Sequence, residues 1–521
     1  MVSGNPYDGR KILLERYGWP LLLCIVLYFP FVHHLGWEPI HNWDESLFAM
    51  RAAYMAEEGR YLPNYDHWIE GGPLHPNTKP PFTTWLQVLS LKLLGINEIG
   101  LRATTLAAVL ATLWLFLYIA RREFGDIRIG YLASFVLATT TGYVREHAAR
   151  TGDQDVPLAL YMLVGAYAFH RYVCGPRSGR SADRWLFVLV LALVAATMTK
   201  YVFGLFFLPG MAIYAIHKGV AGRMLREKRT WLAALAVLVP LAGWLAVMDW
   251  RIPGFLRRAL HYEMIDRYTT TIELHKGPWG YYFTQLAEKH FHPWLMLLLV
   301  PAYGWWKRNG HPAGRDILLL FFLCAAGMLL TISFSETKTP HYDIVAYPPL
   351  AFLAGFGCRE LIRSLGSSWR QPGMAVLVLV FGWQLVFRPF VWEPYTQTLE
   401  KTFMPEVKDP NMKYGYLFRK LRWRRDLRRF TLLQPGFDGQ AVFYAGLYRR
   451  KYGFDINLSI HPEQVAVGDT IMACDPGIIR YLFDRWHLQG LESHDQCFVA
   501  AVVRPLSEAA PAEKDLPAEV R

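Results

Sequence analysis

The chain has 521 residues, of which 53 % are hydrophobic and only 19 % charged, and it carries a net charge of +12. Soluble domains sit nearer ~25 % charged, so this composition excludes a disordered, collagen-like or purely soluble chain. Aromatics make up 15 %, with 19 Trp; such residues favour membrane interfaces, and the sequence reads as apolar spans mixed with substantial water-facing segments.

A bilayer core needs about 20 apolar residues per helix. About eleven stretches satisfy this, near 17–35, 97–120, 128–147, 155–174, 184–200, 201–218, 231–250, 293–306, 315–334, 343–363 and 372–391. The first follows Arg10, Lys11 and Arg16 and has no small-residue cleavage site, so it is expected to be a retained anchor. Segment 81–95 follows Pro80-Pro81 and carries Lys92, which predicts an amphipathic helix on the interface. The fifth and sixth stretches form one apolar run, expected to turn back at Lys200.

Alternate loops are basic: Arg121/Arg122/Arg128, Arg171/Arg177/Arg180/Arg184, Lys218/Arg223/Arg226/Lys228/Arg229, Lys307/Arg308/Arg315 and Arg359/Arg363/Arg370. Positive charge marks the cytoplasmic side. The N-terminus is therefore expected inside and the C-terminus outside. The charge of +12 then reflects orientation, and no nucleic-acid partner is expected. The basic run 413–429 falls outside, which long translocated domains tolerate.

Two units are expected: a transmembrane catalytic module over 1–391, with a first outside loop at 36–96, and an outside domain over 392–521. The tail has β-like runs at 441–446 (AVFYAG), 469–475 (DTIMACD) and 497–503 (CFVAAVV), with a helical pattern at 476–486. This predicts a small α/β domain. Cys24, Cys174, Cys324 and Cys358 read as small core residues, and no zinc spacing appears. A Cys474–Cys497 disulfide is allowed in an outside compartment. No internal repeat is evident, which weighs against a secondary transporter.

The outside loops hold the unusual residues. Asp44-Glu45 follows the first span, with His75 and Asn77-Thr78-Lys79-Pro80-Pro81 further on. An ordinary capped interfacial helix, with Asn42 or Asp44 as N-cap and Glu45 near its positive end, accounts for these acids as well, yet a loop this long is uncommon without a function. The 145–160 turn carries Asp153 and Asp155, more acid than capping needs. Lys200 interrupts an apolar run, where charge is costly, although a snorkelling lysine also fits. The 251–292 loop brings His261, Glu263, Asp266 and Arg267, and the last short loop Glu336, Lys338, His341, Tyr342 and Asp343. Together these place carboxylates and cations on one face at head-group depth. A carboxylate takes a proton from an attacking hydroxyl, and cations stabilise a departing phosphate. Group transfer from a lipid phosphate uses both.

Asp44-Glu45-Ser-Leu-Phe-Ala, Asn77-Thr78-Lys79-Pro80-Pro81 and Trp85-Leu86 resemble the first periplasmic loop of ArnT-like and protein O-mannosyltransferase-like GT-C glycosyltransferases. The resemblance continues through Arg121-Arg122-x-Phe124-Gly125, Asp155-x-Pro157-Leu158, Thr199-Lys200 and Lys338-x-Pro340-x-Tyr342, across roughly 10–365. It implies a polytopic α-helical GT-C membrane protein with periplasmic juxtamembrane helices, in a bacterial inner membrane, with its C-terminal domain periplasmic. It implies inverting transfer of a sugar from a polyprenyl-phosphate carrier to an envelope lipid or glycan. Asp44 would be the catalytic or acceptor-orienting carboxylate, with Glu45 beside it and Asp155 organising the second loop. Lys79, Lys200, Arg267, Lys338 and Tyr342 would contact the donor. Asp153, His261, Glu263 and His341 are accessory candidates. Thr78 stands where ArnT-like sequences often carry an acid, and Phe48 where Tyr is common. No cofactor is expected; the His261/Glu263 spacing gives no strong metal site. The rival readings are a lipid-linked substrate flippase, a protein O-glycosyltransferase of the same superfamily, and a non-catalytic assembly subunit.

Overall fold

Residues 19–62, 65–66, 75–144, 147–176, 179–271, 275–300, 312–365, 382–383, 412–436 and 438–506 are described in the computed structural model. Helix α1 (Trp19–Phe31) leads through a coil to α2 (Asp44–Glu58), which Gly59 closes in a left-handed conformation. A two-residue antiparallel pair, β1 (Tyr65–Asp66) and β2 (His75–Pro76), precedes α3 (Phe82–Leu94). Helix α4 (Glu98–Ile119) starts where the Asn97 side chain accepts the Gly100 N–H at 2.9 Å. It runs on through a π-turn at Ala120–Phe124 to Gly125.

Among the described residues, four helices are long and apolar enough to cross a bilayer: Glu98–Phe124, Arg180–Leu205, Lys228–Arg251 and Gly314–Ser333. The chain is a helical membrane protein, but the expected count of eleven spans is not reached by this measure. Stretch 128–147 is broken: it is helical over Arg128–Ala138 (α5), 11 residues, and again over the single turn Thr141–Val144. The Thr139 and Thr140 hydroxyls donate back to the Phe135 and Val136 carbonyls at 2.7 Å and end α5. Asp155–Cys174 (α6) has the expected bounds. Helix α7 (Arg180–Lys200) ends at the predicted turn. There a tight 3-10 stretch, Tyr201–Leu205, folds back on α7. A Cβ on Gly204 would lie 2.5 Å from the Ala196 backbone, so the turn needs glycine. Only Leu208–His217 of the sixth stretch is α-helical. Of 293–306, a 3-10 turn at Trp294–Leu298 is described. Stretch 372–391 lies outside the described residues apart from 382–383.

The tail forms a five-stranded sheet of β3 (Arg429–Leu433), β4 (Asp455–Ser459), β5 (Thr470–Ala473), β6 (Trp486–His494) and β7 (Cys497–Pro505), in the order β4-β3-β5-β7-β6. β3 is parallel to β4 and β5, and β7 antiparallel to β5 and β6. The 469–475 and 497–503 runs are strands and 476–483 is helical, as predicted. The 441–446 run is not a strand: it lies inside helix Gly439–Tyr452. The Asp438 carboxylate accepts the Gln440 and Ala441 N–H groups at 3.0 and 3.1 Å, a cap that overrides β propensity. The helix is apolar on several sides because it is buried between the sheet and α2.

This tail is not a separate body. Ile40, Ala49, Ala52, Ala53 and Met55 share one hydrophobic core with Leu417, Phe418, Tyr444 and Met472. Gly439 lets its helix close onto α2: a Cβ there would lie 2.6 Å from Ser46 Oγ. Tyr444 donates to Glu98 at 2.9 Å and accepts the Ile40 N–H at 2.9 Å. The tail thus braces the loop that carries Asp44.

Cys474 and Cys497 form a disulfide, fully buried between β5 and β7. Closing a loop of this size restricts the unfolded chain, worth about 3 kcal/mol. Intact mass under non-reducing conditions is expected to be about 2 Da below the reduced value, and Cys474→Ser to lower the melting temperature. An unchanged mass on reduction contradicts the bond.

Candidate active site

Helix α2 presents two adjacent carboxylates to different surroundings. Glu45 is fully buried. Its Oε1 accepts Arg102 Nε and the Gly152 N–H, each at 2.7 Å. Its Oε2 accepts Arg102 Nη2 at 2.9 Å and the His41 N–H at 2.7 Å. Arg102, from α4, uses its remaining donors on the carbonyls of Leu35, Glu38 and Pro39 at 2.7–2.9 Å. Ion pair and backbone satisfy each other, as burial of charge demands. The structure thus places Glu45 apart from Asp44, with both carboxylate oxygens engaged by Arg102 and backbone N–H groups.

Asp44 points the other way and is 43 % exposed. Neither Asn42 nor Asp44 supplies a side-chain cap; Trp43 holds that position. Asp44 Oδ2 faces His147 Nδ1 at 3.7 Å and His341 Nε2 at 3.9 Å. The two imidazoles stack with centroids 4.8 Å apart. Asp153 Oδ1 lies 3.7 Å from the same His147 nitrogen, while Oδ2 accepts Thr151 at 2.5 Å. Burial alone would raise the Asp44 carboxyl; His341, His147, Lys79 and Lys200 hold it below its ordinary value. Burial acts against a charged His147, yet Asp153 and Asp44 raise it to about 9. Burial lowers His341 to about 3.

The cations converge beside this carboxylate in one linked network. Lys79 donates to Glu263 Oε2, and Thr78 to Oε1 at 2.6 Å. Arg267 lies 3.8 Å from Glu263 and donates to the Tyr342 hydroxyl. Lys200 pairs with Asp155 at 2.5 Å and sits over the Tyr342 ring, 4.8 Å from its centroid. Side-chain hydrogen bonds tie the parts: Gln87 of α3 donates to the Gly152 carbonyl at 2.6 Å, and the Thr83 and Thr199 hydroxyls, the latter on α7, pair at 2.9 Å. Thr78 has no acid side chain, but Glu263 brings a carboxylate to the same lysine from another loop.

Two further candidates are not brought into this network. Lys338 is buried away from this network, its ammonium donating to the Ser333 carbonyl at 2.8 Å and to that of Ser335; it closes the end of helix Pro312–Ser333. His261 is exposed, 3.9 Å from Asp266, and is not paired with Glu263. Arg102 and His147 were missed. An arginine inside an apolar helix was the available signal for the first. His147 lay in a turn read only for its acids.

Burial raises Glu263, but Lys79 and Arg267 outweigh this and leave it below its ordinary range. A depressed carboxyl contributes stability that is complete above its unfolded pKa of about 4.3 and is lost as pH falls through the folded value. Glu263→Gln is therefore expected to flatten the acid limb of a melting-temperature profile below about pH 5. A mutant profile parallel to wild type refutes the pairing.

Fold and site define a membrane helix bundle whose loops gather acids and cations beside the C-terminal sheet domain. Residues 78–246 match the family described as dolichyl-phosphate-mannose-protein mannosyltransferase. The fold is that of ArnT from Cupriavidus metallidurans bound to undecaprenyl phosphate, with a TM-score of 0.68 at 18 % identity over 95 % of this chain and 99 % of that one. In sequence, the chain is 26 % identical over 368 residues to undecaprenyl phosphate-alpha-4-amino-4-deoxy-L-arabinose arabinosyl transferase 2 of Pseudomonas fluorescens, covering 67 % of this chain and 61 % of the relative. An uncharacterized protein of Aquifex aeolicus is 23 % identical over 83 % of this chain and 87 % of its own length. The chain spans about three fifths of the P. fluorescens relative it matches. It resembles the ArnT-like and protein O-mannosyltransferase-like GT-C glycosyltransferases, as its motifs indicated.

Proposed function

We propose that this protein is an inverting glycosyltransferase that moves one sugar from a polyprenyl-phosphate carrier to an envelope lipid or glycan at the periplasmic face of a bacterial inner membrane. The observation that carries the reading is the convergence of Lys79, Lys200 and Arg267 beside an accessible Asp44. An acceptor hydroxyl oxygen attacks the anomeric carbon as the sugar–phosphate bond breaks. The hydroxyl proton goes to Asp44, and the electron pair leaves with polyprenyl phosphate, whose charge the cations stabilise. No general acid is needed, because phosphate leaves as an anion. Asp155 holds Lys200 in place. Glu45 is a positioning residue that sets the start of α2.

The buried disulfide supports an oxidising compartment for the tail and so for the loops it braces. The basic alternate loops then face the cytoplasm, with the N-terminus inside.

Lys79→Ala tests the donor site. It is expected to raise the KM for a polyprenyl-phosphate sugar at least about tenfold, the effect of losing ~1.4 kcal/mol of charge-assisted binding. Unchanged KM and kcat would remove Lys79 from the donor site.

A further inference from the structure

We propose that Asp44, His147 and His341 bind one divalent transition-metal ion of the zinc class. Their ligating atoms, one carboxylate oxygen and two imidazole nitrogens, lie within 4.8 Å of one another. The contacts of 3.7 and 3.9 Å are too long for hydrogen bonds, which run about 2.7–3.2 Å. The groups face each other across a gap. Zinc bonds of about 2.0–2.1 Å in tetrahedral geometry place ligand atoms roughly 3.4 Å apart, so an ion fits after the side chains draw in.

Three further observations favour an ion. His147 Nδ1 is buried with no hydrogen-bond partner, which is costly for a polar atom. The neighbouring lysines are engaged elsewhere, Lys79 by Glu263 and Lys200 by Asp155. The ligands come from three separate segments, α2, the 145–154 turn and the last short loop, which the fold brings to one point.

Ligand chemistry selects the ion. Two imidazoles and one carboxylate suit zinc or its neighbours, whereas calcium and magnesium prefer oxygen throughout. Three protein ligands leave a fourth position open. Both histidines face Oδ2, so Oδ1 of Asp44 stays available to an acceptor. Asp153 Oδ1 lies 3.7 Å from the same His147 Nδ1 and adds negative charge beside the ion. Binding rests on this geometry alone; only the ion's place beside the reacting hydroxyl rests on the transferase reading.

The test uses full-length protein in detergent, stripped with EDTA and titrated with Co²⁺. One equivalent is expected to bind, with a visible tetrahedral d–d absorption that Zn²⁺ abolishes and a rise in melting temperature. His147→Ala and His341→Ala are each expected to lose the band and to weaken binding by more than about 10-fold. Asp153→Asn should weaken binding about 10-fold with the band retained. His461→Ala, at an exposed tail histidine, should behave as wild type. Substoichiometric binding to wild type, or a band that survives in folded His147→Ala and His341→Ala proteins, overturns the site. Sugar transfer is scored separately with the same samples. Failure of transfer with intact cobalt binding rejects the transferase reading and leaves the metal site standing.

Discussion

Asp44→Asn is expected to lower the turnover of sugar transfer by about 10²–10⁴-fold, the range for removing a general base, without lowering the melting temperature of the EDTA-stripped protein. The two effects separate because Asp44 supports no structure. It provides no helix cap, and its ion-pair contacts are the long ones to His147 and His341. Asn keeps the volume and loses the proton acceptor. Single-turnover release of polyprenyl phosphate reads the chemical step directly. Turnover near wild type would remove Asp44 from the reaction.

The opposite behaviour is expected one residue away. Glu45→Ala leaves Arg102 buried with two donors unmet, and Arg102→Ala orphans the Leu35, Glu38 and Pro39 carbonyls as well. Breaking one side of a buried pair costs about 3–5 kcal/mol. Either variant should melt well below wild type and lose activity through misplacement of α2. Removing both charges, in Glu45→Leu with Arg102→Met, should restore part of the stability, since apolar replacement of a buried pair is often near neutral. A single substitution that costs under about 1 kcal/mol would show that the pair does not anchor α2.

The sequence made the adjacent acids visible but not their division of labour. Asp44 and Glu45 differ by about 100° around a helix, and only the position of Arg102 decides which is buried. That pairing spans 57 residues and leaves no local pattern. Lys338 misled for a related reason. A basic residue in a polar loop reads the same whether it faces a ligand or closes a helix end. His147 was hidden by its neighbours, since the acids of its turn drew the reading. Lys200 stands out as a charge interrupting an apolar run, whereas Lys79, Arg267 and Tyr342 stand out only in polar loops and in the family-like motifs; the structure brings the four into one network. In the tail, β5 and β7 followed from β-branched apolar runs between turn residues. The 441–446 run failed because the Asp438 cap and burial against α2 outweighed propensity.

Product analysis tests sugar transfer most directly. Purified protein in liposomes is incubated with a polyprenyl-phosphate sugar labelled in the sugar, together with envelope lipids as acceptors. Transfer gives loss of donor, free polyprenyl phosphate and an equal amount of label in a new glycosidic linkage. Labelled donor that crosses the bilayer but stays intact would contradict it and identify a flippase.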